Sequence, residues 1–121
     1  MRTLAIGDVH GCLTAMKSLM DFVEISETDR VIWLGDYVDR GPDTAGVLEA
    51  LIAQRTNPNA VFLRGNHEVM MEEARIGLPE MRRWATCGGD ATWDSYAERF
   101  DRDGMAAIPL SHWEFIRELA P

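Results

Sequence analysis

Three short apolar runs punctuate the first half of the chain: Thr3-Leu4-Ala5-Ile6, Arg30-Val31-Ile32-Trp33-Leu34 and Ala60-Val61-Phe62-Leu63. Their length and their β-branched and aromatic content predict buried strands, and each is stopped by a glycine, at Gly7, Gly35 and Gly65. Between the runs the hydrophobic period lengthens. Leu13, Met16, Leu19, Met20 and Val23 fall at helical spacing within 12–24, as do Val47, Leu48, Leu51 and Ile52 within 44–55. Asp43 or Thr44 can cap the second helix, and Asn57-Pro58-Asn59 closes it. The order β-α-β-α-β, in units of about 30 residues, is that of right-handed crossovers between parallel strands. It predicts an α/β layered fold, a parallel sheet flanked by helices.

After Gly65 the pattern predicts helices more than strands. Residues 68–76 read as a short helix opening with acids, so Glu68 is expected to favour the helix dipole from the first turn. A second helix is expected over 79–84, and Cys87-Gly88-Gly89-Asp90 reads as a turn whose Asp90 caps a helix through Phe100. Charged residues Asp101-Arg102-Asp103-Gly104 end that helix, and Ser111 is expected to cap a final one carrying Trp113, Phe115, Ile116 and Leu119. His112, beside that cap, reads as exposed. Tyr37, Val38 and the tryptophans Trp33, Trp84, Trp93 and Trp113 read as packing residues, because no basic residues interleave them as a base-stacking platform requires. With no linker or low-complexity tract, residues 1–121 are expected to form one unit.

Charge and cysteine content narrow the classes. Twenty acidic against 12 basic side chains leave a net charge of -8, which disfavours a nucleic-acid or anionic-membrane surface. No apolar run approaches the roughly 18 to 20 residues of a spanning helix, and Asp8 arrives too early for a signal-peptide core. A cytoplasmic protein is expected. Cys12 and Cys87 form no CxxC or Cys/His pattern and read as reduced, partly buried thiols.

The candidate chemistry lies where the strands end. Gly7-Asp8-Val9-His10-Gly11, Gly35-Asp36-Tyr37-Val38-Asp39-Arg40-Gly41 and Arg64-Gly65-Asn66-His67-Glu68 each follow a strand. In a parallel sheet they share the carboxyl edge, where α/β sheets bind ligands. Asp8 and His10, two apart, present an oxygen and an imidazole nitrogen suited to a divalent ion; Asp36 and Asn66 add oxygen donors. Any one cluster alone is a weak signal, but two of the three histidines of the chain fall within these clusters.

GDVHG, GDYVDRG and LRGNHE resemble the three signature motifs of the phosphoprotein-phosphatase branch of the metallophosphoesterases. That branch includes serine/threonine protein phosphatases, bacteriophage lambda phosphatase and symmetrical diadenosine tetraphosphatases. The resemblance covers residues 3–68, and Trp84 through Tyr96 is similar to the segment that follows in bacterial members. It implies that Asp8 and His10 bind a first metal, that Asp36 bridges two metals, and that Asn66 binds the second. His67 is implied as general acid with Asp39 orienting it, and Arg40 and Arg64 as holders of phosphate oxygens. Two divalent ions are implied, manganese first, with Fe, Zn, Co or Ni compatible with the same donors.

The chain resembles roughly the first half of a family member. Two further histidines that complete the second metal in the family have no counterpart, so that site is expected to bind weakly. The second sheet of the family's β-sandwich is likewise missing, which leaves an apolar sheet face expected to self-associate or to be covered by another chain. The activity implied is metal-dependent phosphomonoester hydrolysis, in the first reading by a serine/threonine protein phosphatase acting on phosphoproteins or small phosphoesters. The alternatives are a diadenosine tetraphosphatase-like nucleotide hydrolase and a catalytically incomplete metal- or phosphate-binding fragment.

Overall fold

Strands β1 (Thr3–Ile6), β2 (Arg30–Trp33) and β3 (Ala60–Phe62) form one parallel sheet in the order β1-β2-β3, in a computed structural model that describes residues 1–121. The connections are the expected helices, α1 (Leu13–Val23) and α2 (Thr44–Gln54), so the β-α-β-α-β reading holds. Register explains which residues face the core. Leu4 pairs with Val31, Ile6 with Trp33, and Trp33 with Phe62, so these side chains share one face, and Val31 and Trp33 are buried there. The opposite face carries exposed Thr3, Ala5, Arg30 and Leu34 around half-buried Ile32 and Val61. Right-handed crossovers on consecutive neighbours place both helices on the Trp33 face, which is why only that face is closed.

The rest of the chain completes that layer. Helices α3 (Asn66–Glu73), α4 (Leu78–Trp84), α5 (Asp90–Phe100), α6 (Gly104–Ala107) and α7 (Leu110–Arg117) follow in order. Phe115 of α7 packs edge-on against Phe62 at 5.4 Å between ring centroids, and Phe62 stacks on Trp33 at 6.3 Å. Beyond α7, Ala120 pairs in parallel with Leu63 and continues the sheet past β3. No helix is long and apolar enough to cross a membrane.

Three local expectations are corrected. The expected turn at Cys87-Gly88-Gly89-Asp90 is present as a kink between α4 and α5, with Gly88 at φ 106°, but Asp90 is the first residue of α5 and not its cap. Pro109, not Ser111, stands at the start of α7. Helix α6 was not expected, because four residues give no readable period; the Asp103 carboxylate accepts hydrogen bonds from the backbone N–H groups of Met105 and Ala106 and starts it.

His112 is the larger correction. It is buried, not exposed: Nδ1 lies 2.6 Å from the Tyr96 hydroxyl and Nε2 lies 2.9 Å from Glu49, tying α7 to α5 and α2. A neutral ring satisfies both partners, with Nε2–H donating to Glu49 and Nδ1 accepting from Tyr96. Burial lowers the His112 pKa below its usual value, against the pull of Glu49 in the other direction. The unfolded chain takes up this proton near pH 6.5 while the folded chain resists it, so protonation favours unfolding. Stability is expected to be retained above about pH 6.5 and lost as the pH falls through the lowered folded value. Urea midpoints at pH 7.5 and 5.5 check this, with wild type losing more than His112→Gln.

Candidate metal and phosphate site

The loops after β1, β2 and β3 converge as the parallel order requires. One ligand atom each of Asp8, His10 and Asp36 lies within 4.8 Å of the others, an arrangement of two carboxylates and one imidazole suited to a divalent ion. The His10 ring is already oriented, because Nδ1 lies 2.9 Å from the Val38 carbonyl and donates to it. That bond leaves Nε2 as the lone-pair nitrogen, as a metal ligand needs. Asn66 opens α3 between Gly65 and His67 and is exposed. The His67 backbone N–H donates to Asp36 Oδ1 at 3.1 Å, so the Asn66 loop is laced to the bridging candidate.

The backbone is held in an uncommon state at this edge. Asp8, His10, Asp36, Asp39 and Arg40 all have positive φ, from 42° to 76°, and they are five of the seven non-glycine residues that do. The other two, Glu24 and Asp101, end helices, where this conformation is ordinary. Such residues cost energy and persist only where surrounding contacts impose them. Gly41 shows how close those contacts are: a side chain there would strike the His10 carbonyl. Hydrogen bonds from His10 N–H to the Asp36 carbonyl, and from Gly11 N–H to the Tyr37 carbonyl, zip the first two loops together.

His67 and Asp39 form a dyad. The His67 Nδ1 lies 2.8 Å from Asp39 Oδ2, both residues are buried, and the His67 ring meets the His10 ring edge-on at 4.7 Å. Burial pushes the Asp39 carboxyl above its usual range, while hydrogen bonds from His67, Thr92 and Trp84 pull it back. Arg40 follows directly and is exposed, with its backbone N–H held by the Gly88 carbonyl at 3.0 Å. Arg64 stands differently. One terminal nitrogen donates to the carbonyls of Arg117 at 2.7 Å and Ile116 at 3.4 Å, at the end of α7.

The profile of the calcineurin-like phosphoesterases matches residues 1–118. The chain belongs to that family. A symmetrical bis(5'-nucleosyl)-tetraphosphatase of Nitrosospira multiformis is 36% identical over 84 residues, 69% of this chain and 30% of that protein. Its counterpart in Legionella pneumophila is 34% identical over 116 residues, 93% of this chain and 37% of that protein. Serine/threonine-protein phosphatase 1 of Salmonella typhimurium is 38% identical over 86 residues, 70% of this chain and 38% of that protein. A crystal structure of a provisionally assigned diadenosine tetraphosphatase superposes on 96% of this chain and 42% of that one, with a TM-score of 0.64 at 21% identity. That likeness shows a shared fold. The matches span 30% to 38% of these three curated relatives.

At this edge the sequence carries no sign of three hydrogen-bonding roles, those of Glu68, Trp84 and Thr92. Glu68 lies in the first turn of α3, where it was expected to favour the helix dipole, but it is also buried and accepts four backbone N–H groups. Its Oε1 takes Asp36 at 2.7 Å and Gly65 at 2.8 Å; its Oε2 takes Tyr37 at 2.9 Å and Val38 at 3.3 Å. Burial pushes the Glu68 carboxyl above its usual range, against these four donors. Thr92 donates to Asp39 from α5; a lone threonine in an amphipathic helix offers no signal of that. Cys12, expected to be partly buried, is exposed, whereas Cys87 is half-buried as expected.

Proposed function

We propose that this chain carries the metal- and phosphate-binding half of a hydrolytic centre that cleaves dinucleoside polyphosphates, with manganese as the preferred ion. The observation that carries the hydrolytic reading is the cluster of Asp8, His10 and Asp36 with the His67–Asp39 dyad packed directly against it. A divalent ion held there supplies Lewis acidity toward phosphate oxygens and offsets developing negative charge. Arg40, exposed beside the dyad, is free to offer two parallel donors to a phosphate. Asp39 holds the His67 ring through Nδ1, which leaves Nε2 to carry a proton to the leaving oxygen. The step is hydrolysis: a water oxygen bonds to phosphorus as the bond to the leaving oxygen breaks, His67 protonates that oxygen, and the proton the water sheds restores the ring.

The nucleotide substrate rests on the names of the Nitrosospira and Legionella relatives, which favour it over the phosphoprotein reading that the Salmonella relative supports. The test is manganese-dependent release of ADP from diadenosine tetraphosphate, set beside phosphate release from a phosphoserine peptide, for wild type, Asp36→Asn and His67→Asn. Faster turnover of the dinucleotide, lost in both variants, is expected. Faster turnover of the peptide would overturn the substrate assignment.

A second reading has its own observation. The third histidine, His112, is committed to Tyr96 and Glu49, so Asp36 and Asn66 stand without a histidine at the second metal position. Oxygen donors alone hold a transition-metal ion weakly. Manganese binding without turnover of either substrate would favour a binding module over a self-sufficient enzyme.

A further inference from the structure

The Asp39 carboxylate accepts from three side chains, those of His67, Trp84 and Thr92, and two of these come from a part of the chain outside the three signature motifs. Asp39 is 0% exposed. The indole N–H of Trp84 lies 2.9 Å from both of its oxygens, and the Thr92 hydroxyl donates to Oδ1 at 2.8 Å. Thr92 Oγ1 also accepts the Asp39 backbone N–H at 2.9 Å and lies 2.9 Å from the Thr44 hydroxyl. Each hydroxyl has one proton. Because Thr92 spends its own on Asp39, Thr44 must donate to Thr92, so the network has a single direction ending on the carboxylate.

We infer that Trp84 and Thr92 are positioning residues for His67, acting through Asp39: they fix the carboxylate so that Oδ2 meets Nδ1 and selects the ring tautomer. This rests on the reading of His67 as the proton donor. The geometric reason is that Asp39 itself sits at φ 76°, in a conformation its own backbone does not favour, and its side chain needs outside donors to stay in one orientation. Gly88 supports the same arrangement: its carbonyl accepts the Arg40 N–H, and a side chain at Gly88 would strike Arg40. The kinked segment between α4 and α5 therefore serves to bring an indole and a hydroxyl onto the dyad. Removing an outer partner of an oriented side chain typically costs about 10- to 100-fold in activity.

The test uses the full chain as Thr92→Val, Thr92→Ser, Trp84→Phe and His67→Asn, with two readouts. The first is the low-field Nδ1 proton of His67, followed by proton–nitrogen NMR in the absence of metal, which reports the dyad whether or not the chain turns over. The second is manganese-dependent hydrolysis of phenyl phosphate, whose leaving group needs a proton, against p-nitrophenyl phosphate, whose leaving group needs it far less. Thr92→Val and Trp84→Phe are expected to lose or shift the Nδ1 resonance and to lose about 10-fold or more on phenyl phosphate, with less than about 3-fold on the nitrophenyl ester. Thr92→Ser is expected to restore both readouts. An unchanged resonance in Thr92→Val and Trp84→Phe would overturn the inference, as would equal losses on the two esters. His67→Asn separates the premises: if it leaves the ratio between esters unchanged, the proton-donor reading fails, and the resonance alone then decides whether Trp84 and Thr92 set the ring.

Discussion

Replacing Glu68 by alanine is expected to lower the free energy of unfolding by about 4 kcal/mol, a large share of the 5 to 15 kcal/mol typical of a domain. Four backbone N–H groups, on Asp36, Tyr37, Val38 and Gly65, end on this one carboxylate. A buried donor left without a partner costs about 1 to 3 kcal/mol, and water entering the vacated space recovers part of the total. The effect reaches the metal cluster as well as the fold. Two of the four donors flank the Asp36 side chain, and a third belongs to Gly65 at the start of the Asn66 loop. Glu68→Gln keeps the shape but turns an amide N–H toward two of the donors, so its loss is expected to approach that of alanine. Urea unfolding with and without manganese checks both variants. Stability within about 1 kcal/mol of wild type for Glu68→Ala would show that the loops hold themselves.

Asp39→Asn is expected to reduce turnover by on the order of 10³-fold while leaving manganese affinity within about threefold of wild type. Asn preserves shape but carries two protons where every neighbour already donates. If its amide nitrogen faces His67, the ring must accept at Nδ1 and loses the carboxylate that stabilises its protonated form, so a neutral imidazole, a much weaker acid, faces the leaving oxygen. If it faces Thr92, the hydroxyl loses its acceptor, and Trp84 retains only one oxygen. Asp39 lies outside the cluster of Asp8, His10 and Asp36, which is why affinity and rate are expected to separate. Isothermal titration with manganese, beside kcat and KM on the substrate that turns over best, measures both. A parallel fall in affinity and rate would place Asp39 among the groups that hold the ion.

Much of the site was legible because it is built from local signals repeated three times. A short apolar run followed by a glycine and an acid or amide reads as a strand end with a candidate donor, and the helices between runs make the strands parallel. Parallel order alone carries Asp8, Asp36 and Asn66 to one edge, whatever else the chain does. Two apart in sequence, Asp8 and His10 meet in the cluster, both in the left-handed backbone conformation. The helices past Gly65 were legible as elements, but their ends were not, since the start of α7 at Pro109 and the kink at Gly88 depend on how the segments dock.

The side chains whose roles changed are those whose partners lie far off in the chain. Glu68 meets residues 30 to 32 positions away, Trp84 and Thr92 meet Asp39 across 45 and 53, and His112 meets Glu49 across 63. Hydrophobic period says which face of a helix turns inward, not which polar groups await it there. A carboxylate at a helix start is equally compatible with water or with a ring of backbone donors. The sequence by itself determined the strands, their parallel order and the candidate donor groups at one edge, because short-range pattern and chain connectivity suffice for those. Only the tertiary structure decided that Glu68 gathers the N–H groups of two loops, that Thr92 of α5 bonds Asp39, that His112 is interior and that Arg64 donates to the end of α7, because burial and hydrogen bonding of a polar group are set by what distant segments bring against it.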